Sequence, residues 1–108
     1  MNYGPLMDRI VEELKKIYDP EIPVNIFDLG LIYGIDCSEN GDGTKCVVKM
    51  TLTSAACPVS ESLVDQVRNI GYILDDYPQL TVEPDLVFEP PWTVEKMSDE
   101  AKLQLGML

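Results

Sequence analysis

The chain has no histidine. Neutral imidazole is the usual near-neutral general base, so Ser-His-Asp and Cys-His catalysis and His-ligated zinc or haem are excluded at the outset. Cations are scarce as well: 8 Lys and Arg stand against 19 Asp and Glu, a formal net charge of −11. Nucleic-acid and anionic-membrane binding rest on clustered Lys and Arg. The sequence has no such cluster, so neither is an expected partner. A basic protein partner stays open, because an acidic surface steers one electrostatically. Long apolar runs are missing, and no segment reaches transmembrane length. The start, Met1-Asn2-Tyr3-Gly4-Pro5, lacks the basic and apolar stretches of a secretory signal. Cysteine is limited to three residues without paired spacing, which is no secreted disulfide framework. The expected home is the reducing cytoplasm.

What is present is globular composition, with 45% apolar and 25% charged residues, neither disordered nor membrane-spanning. A chain of 108 residues buries about two-thirds of the surface its unfolded form exposes, enough for a core without disulfides. No repeat, low-complexity run or linker divides it, so residues 1–108 are read as one domain. Leu6, Ile10, Leu14 and Ile17 recur at helical spacing, with Pro5 suited to the first helical position. Asp19-Pro20 is expected to stop that helix, since proline pushes its predecessor out of the helical region.

From Leu29 to Leu52 the period becomes two. Leu31, Tyr33, Ile35 and Cys37 alternate with smaller or polar residues, as do Cys46, Val48, Met50 and Leu52, around the turn-forming Asn40-Gly41-Asp42-Gly43. A symmetric hairpin pairs Tyr33 with Met50, Ile35 with Val48 and Cys37 with Cys46, placing every apolar side chain on one face. Thr51 and Thr53 then point to the face opposite Met50 and Leu52. Residues 58–76 return to helical period through Leu63, Val67, Ile70 and Leu74. A third strand carries Val82, Pro84, Leu86 and Phe88, and Pro84 argues for an edge position or a bulge. Ser98 can cap a short last helix through Leu105. The order α-β-β-α-β-α is that of an α+β two-layer sandwich, a small sheet with an antiparallel hairpin packed against helices.

The cysteines are not equivalent. Cys37 and Cys46 fall on the core face, where cysteine behaves as a small hydrophobe; as cross-strand neighbours they also leave a reversible disulfide open. Cys57, in Leu52-Thr53-Ser54-Ala55-Ala56-Cys57-Pro58, sits between a strand and a helix beginning at Pro58. Free amides and the positive helix end favour its thiolate, and with it metal ligation and nucleophilicity, while nearby carboxylates push the other way. A plain capping role is the alternative. Cys57-Pro58-Val59-Ser60 also reads as a C-x-x-S, though a thioredoxin-like site wants parallel strands before the motif. Asp19, Glu21 and Asp28 gather in a proline-braced loop, able to bind a cation or to satisfy loop amides, with Asp28 placed to cap the start of the strand. Trp92, after two prolines, either closes over the core edge or offers a binding surface.

Together, Asp19-Pro20-Glu21-Ile22-Pro23, Asp28-Leu29-Gly30-Leu31-Ile32-Tyr33, Met50-Thr51-Leu52-Thr53 with Cys57-Pro58, and Pro90-Pro91-Trp92 ahead of Met97-Ser98 resemble the metal-sulfur (iron-sulfur) cluster assembly factor family, the SufT-like or PaaD-like domain. The resemblance covers nearly the whole chain. Two departures stand out: Ser54 and Ala55 replace a threonine and a proline common in the family, and the cysteine-rich C-terminal extension of PaaD proteins is absent, so the short single-domain form fits better.

The resemblance implies an accessory or targeting factor in the maturation of iron–sulfur proteins, not an enzyme with turnover. The site it implies is Asp19, Glu21, Thr53 and Cys57, with Asp28 and Trp92 in support. Iron–sulfur assembly proteins and apo clients are the implied partners. A cluster commonly takes four thiolates, so Cys57 alone holds none. A transient cluster shared with a second chain in a homodimer, or with a client, is the implied cofactor, or there is none. Two other classes stay open: a small thiol redox protein using Cys57, and an interaction adaptor in which Cys57 is only a cap.

Overall fold

The computed structural model describes residues 3–19, 22–41, 43–53, 60–77 and 79–107. The first helix, α1 (Gly4–Leu14), has proline in its opening turn and buries Leu6, Ile10 and Leu14, the stripe seen in the sequence. It ends earlier than Asp19-Pro20. Ile17 stays buried, but its carbonyl accepts the Ile26 N–H at 2.8 Å, and Tyr18 pairs with Asn25 in an isolated antiparallel bridge. Pairing with the returning chain replaces the last helical turn.

Strands β1 (Ile32–Asn40) and β2 (Gly43–Met50) form the expected hairpin. Ile35 pairs with Val48 and Cys37 with Cys46. Tyr33 does not pair with Met50: Ile32 does, because the register shifts between Ile32 and Gly34. A bulge adds one residue to one strand and re-aims a side chain. Tyr33 thereby leaves the core face, and its hydroxyl donates to the Pro90 carbonyl at 2.7 Å. Cys37 and Cys46 are joined by a disulfide, so the open alternative is the one found.

Helices α2 (Ser60–Arg68) and α3 (Ile70–Ile73) occupy the stretch read as one helix. Leu63, Val67, Ile70 and Leu74 are all buried, so the apolar stripe survives the break. At Gly71 α3 runs close to β3: a Cβ there would lie 3.2 Å from the Leu80 carbonyl oxygen and 3.3 Å from the Val82 nitrogen, a contact that only a small shift of the neighbours would relieve. Strand β3 (Leu80–Leu86) lies parallel to β2, giving a three-stranded sheet in the order β1-β2-β3. Thr44 N–H reaches Gln79 O and Val87 N–H reaches Met50 O. A strand's peptide groups alternate in direction, so odd-numbered residues of β3 face β2 and Pro84 faces away. Its missing donor costs the ladder nothing, which is the edge position expected of it. Beyond β3, a 3₁₀ turn (Val94–Lys96) precedes α4 (Asp99–Gln104), whose Ser98 cap accepts the Ala101 N–H at 3.1 Å.

One face of the sheet carries Cys46, Val48, Met50 and Val82 into a core shared with α1, α2 and α3; the other presents Lys45, Lys49, Glu83 and Asp85. Burying one such aliphatic side chain contributes roughly 1.5–3 kcal/mol. The architecture is the expected α+β arrangement. No helix among the described residues is long and apolar enough to cross a membrane.

Two surface ion pairs tie distant elements. Arg9 on α1 meets Asp76 beyond α3, and Lys45 on β2 meets Glu83 on β3. Hydrogen bonding to Arg9 holds the Asp76 carboxyl below its ordinary range, and Lys45 does the same for Glu83. A depressed folded-state pKa gives stability that is present above the unfolded pKa and lost as pH falls through the folded one. Wild type should therefore melt above an Asp76→Asn, Glu83→Gln double variant at pH 6. That gap should close in acid below the normal carboxylate range, as thermal scans across pH would show.

Candidate functional site

The segment from Tyr18 to Leu31 folds back on itself through its own polar groups. Asp19 is buried, its N–H bonds to Val24 O at 3.3 Å, and its Oδ1 accepts the Ile22 N–H at 3.0 Å. The carboxylate thus caps the backbone of Ile22, an Asx-type role. Glu21 and Cys57 lie outside the described residues.

Asp28 works with Asn25 more than with the start of β1. Asn25 Nδ2 donates to Asp28 Oδ2 at 2.8 Å, and the Asp28 N–H returns to Asn25 Oδ1 at 2.9 Å. This reciprocal pair fixes the turn at 25–28. Sequence reasoning passed over Asn25, although the Asn-x-x-Asp spacing is the signal for such mutual capping.

The next residues are clasped by the C-terminal part of the chain. Trp92 Nε1 donates to Leu29 O at 2.6 Å, and the Ser98 N–H donates to Asp28 O at 2.8 Å. Between these contacts the Lys96 carbonyl lies over Gly30, where a Cβ would sit 2.1 Å from its oxygen. Gly30 has φ of 80°, the left-handed region that a side chain disfavours. Of the two roles open to Trp92, the structure shows closure over the core edge: it is half-buried and packs on the core cluster. Asp28 and Trp92 are therefore brought together, through adjacent carbonyls of one turn.

Thr53 is half-buried, three residues past the end of β2. The alternation expected there fails, since Met50, Thr51 and Leu52 are all buried. The Thr51 N–H bonds to Leu31 O at 2.9 Å, and the Leu31 N–H bonds to Ile26 O at 3.2 Å. With the bond from Ile26 to Ile17, a backbone path joins the Asp19 turn to the strand end that leads to Thr53. Among the described residues no group of three or more His, Cys, Asp or Glu could hold a metal ion. The Cys37–Cys46 disulfide occupies two of the three cysteines, leaving Cys57 as the remaining one.

The chain is an α+β protein whose acidic turn is held by this clasp, and comparison with known proteins gives the family. The family described as iron-sulfur cluster assembly protein matches residues 7–70. A Porphyromonas gingivalis protein named Fe-S protein maturation auxiliary factor is 43% identical over 99 residues, covering 92% of this chain and 90% of the relative. The Bacillus subtilis Fe-S protein maturation auxiliary factor YitW is 40% identical over 103 residues, covering 94% and 95%. A crystal structure from Bacillus anthracis described as domain of unknown function DUF59 superposes with a TM-score of 0.75 at 32% identity, covering 94% of this chain and 92% of that one. The chain belongs to the iron–sulfur cluster assembly protein family.

Gly30→Ala tests the clasp. It combines a disfavoured φ with a collision against main chain, and should cost about 2 kcal/mol or more in urea unfolding. A change within a few tenths of a kcal/mol would show that the turn is not held as described.

Proposed function

We propose that this protein is an accessory factor in iron–sulfur protein maturation that aids delivery of clusters to client proteins, with Cys57 as a transient ligand to iron or a cluster, or as a partner to a client thiol. The observation that carries this reading is similarity over nine-tenths of the chain to two maturation auxiliary factors. The chain topology supports it. The connection that leaves the carboxyl end of β2 and enters α2 contains Cys57, and ligands in parallel β-α-β units bind outside the carboxyl ends of the strands.

The cluster in this reading is cargo. Four thiolates commonly hold one, and with Cys37 and Cys46 tied to each other this chain offers one. A symmetric dimer would supply two, and the client or a small thiol the rest. Transient holding follows from that shortage, since a complete ligand set would retain the cluster. In this reading Asp19, Glu21 and Thr53 act together with Cys57, while Asp28 and Trp92 belong to the supporting turn. The protein acts on assembly proteins and apo clients in the cytoplasm, without turnover of its own.

Anaerobic reconstitution with iron and sulfide, followed by an ultraviolet-visible spectrum, tests the role of the thiol. Thiolate-to-iron charge-transfer absorption is expected in the wild type and lost in Cys57→Ser. Equal absorption in both would remove Cys57 from the role. Absorption in neither would make the protein an adaptor that recruits partners without holding the cluster.

A further inference from the structure

A second feature lies beside the start of β1. Of the eight Lys and Arg, Arg9, Lys16, Lys45 and Arg68 are neutralised by ion pairs with Asp76, Glu13, Glu83 and Asp65. Lys49 and Lys96 have no carboxylate partner within 4.0 Å among the described residues, and both line one open cleft of about 570 Å³. Its wall is apolar and aromatic, formed by Ile32 and Tyr33, with the Lys96 ammonium 5.1 Å from the centre of the Tyr33 ring. Gly30 lines it too, and Glu89 is the one carboxylate lining it among the described residues. The bulge in β1 builds this wall, because it turns Tyr33 out of the core to meet Pro90.

We propose that this cleft binds a small oxyanion, a carboxylate or phosphate carried on an apolar or aromatic body. Lys96, and Lys49 with Asp85 as its register partner on β3 but no carboxylate within 4.0 Å among the described residues, favour the charged end, and Ile32 with the Tyr33 ring accepts the body. Size follows from the overall charge. At −11 the chain repels a large acidic partner from outside, whereas screening within about 8 Å lets a small anion in the cleft respond to the nearest lysines. Glu89 opposes the anion. Burial, and secondly Glu89, push the Tyr33 phenol up, which places that carboxylate's field across the cleft. This site does not depend on Cys57 or on the maturation role.

Amide NMR titrations of the full chain with phenyl phosphate, inorganic phosphate and benzoate, at constant ionic strength set with sodium chloride, test the proposal. Saturable shifts centred on Gly30, Tyr33 and Lys49 are expected, with phenyl phosphate binding more tightly than inorganic phosphate. The benzoate and phenyl phosphate arms decide between carboxylate and phosphate. A Lys49→Gln, Lys96→Gln variant should bind about tenfold more weakly, whereas Glu89→Gln should bind a few-fold more tightly. Lys102→Gln should change nothing. The gain with Glu89→Gln cannot come from misfolding, which keeps the test sharp. Shifts that never saturate, unchanged affinity in the double lysine variant, or weaker binding by Glu89→Gln would each overturn the proposal.

Discussion

Strand β2 is the constraint on which the rest depends. It pairs antiparallel with β1 on one side and parallel with β3 on the other. An antiparallel neighbour can follow through a tight turn, but a parallel one needs a crossover to bring the chain back to the same end of the sheet. The helices α2 and α3 make that crossover and cover the face carrying Cys46, Val48, Met50 and Val82. The connection containing Cys57 therefore leaves from the carboxyl end of the central strand.

The second consequence concerns the chain before β1. Leu31 accepts from Thr51, the first residue past β2, so the acidic turn is joined to the strand end. The turn is then closed from outside by Trp92, Lys96 and Ser98. Each contact uses a main-chain carbonyl or a glycine and not the carboxylate of Asp28. The polar side chains of Asp19, Asn25 and Asp28 are occupied in holding the turn itself. In this protein the acidic loop is thus a framework for the neighbouring strand end.

Much of the fold was legible in the sequence because it depends on local period. The helical stripes, the hairpin pairing of Ile35 with Val48 and Cys37 with Cys46, the edge position of Pro84 and the Ser98 cap all follow from spacing or from one residue's backbone chemistry. What was not legible depends on partners distant in sequence. Tyr33 fits the alternating pattern, yet the bulge turns it out of the core, where its hydroxyl meets Pro90, 57 residues away. The break between α2 and α3 leaves the apolar stripe intact, so periodicity cannot show it. Strand direction is equally hidden, since the pattern of β3 reads the same parallel or antiparallel to β2. Cys37 and Cys46 face the core whether they pack or bond. At the site, Asp28 and Trp92 were legible as residues that matter, while Asn25 and the steric role of Gly30 emerge only with the clasp. Glu21 and Cys57 were singled out by the sequence and lie outside the described residues.

The chemistry follows from scarcity. Without histidine, and with two of three cysteines tied together, the chain keeps one cysteine thiol, Cys57, as a soft ligand. A single remaining thiol suits brief contact with cargo or client, the behaviour proposed for a maturation accessory. The most direct measurement is the activity of an iron–sulfur enzyme in cells that lack their own maturation factor of this family and are supplied with this chain. The account predicts that the wild type restores that activity and that Cys57→Ala, expressed to the same level, does not. Restoration by neither would contradict the maturation role, and full restoration by the variant would contradict the part given to Cys57.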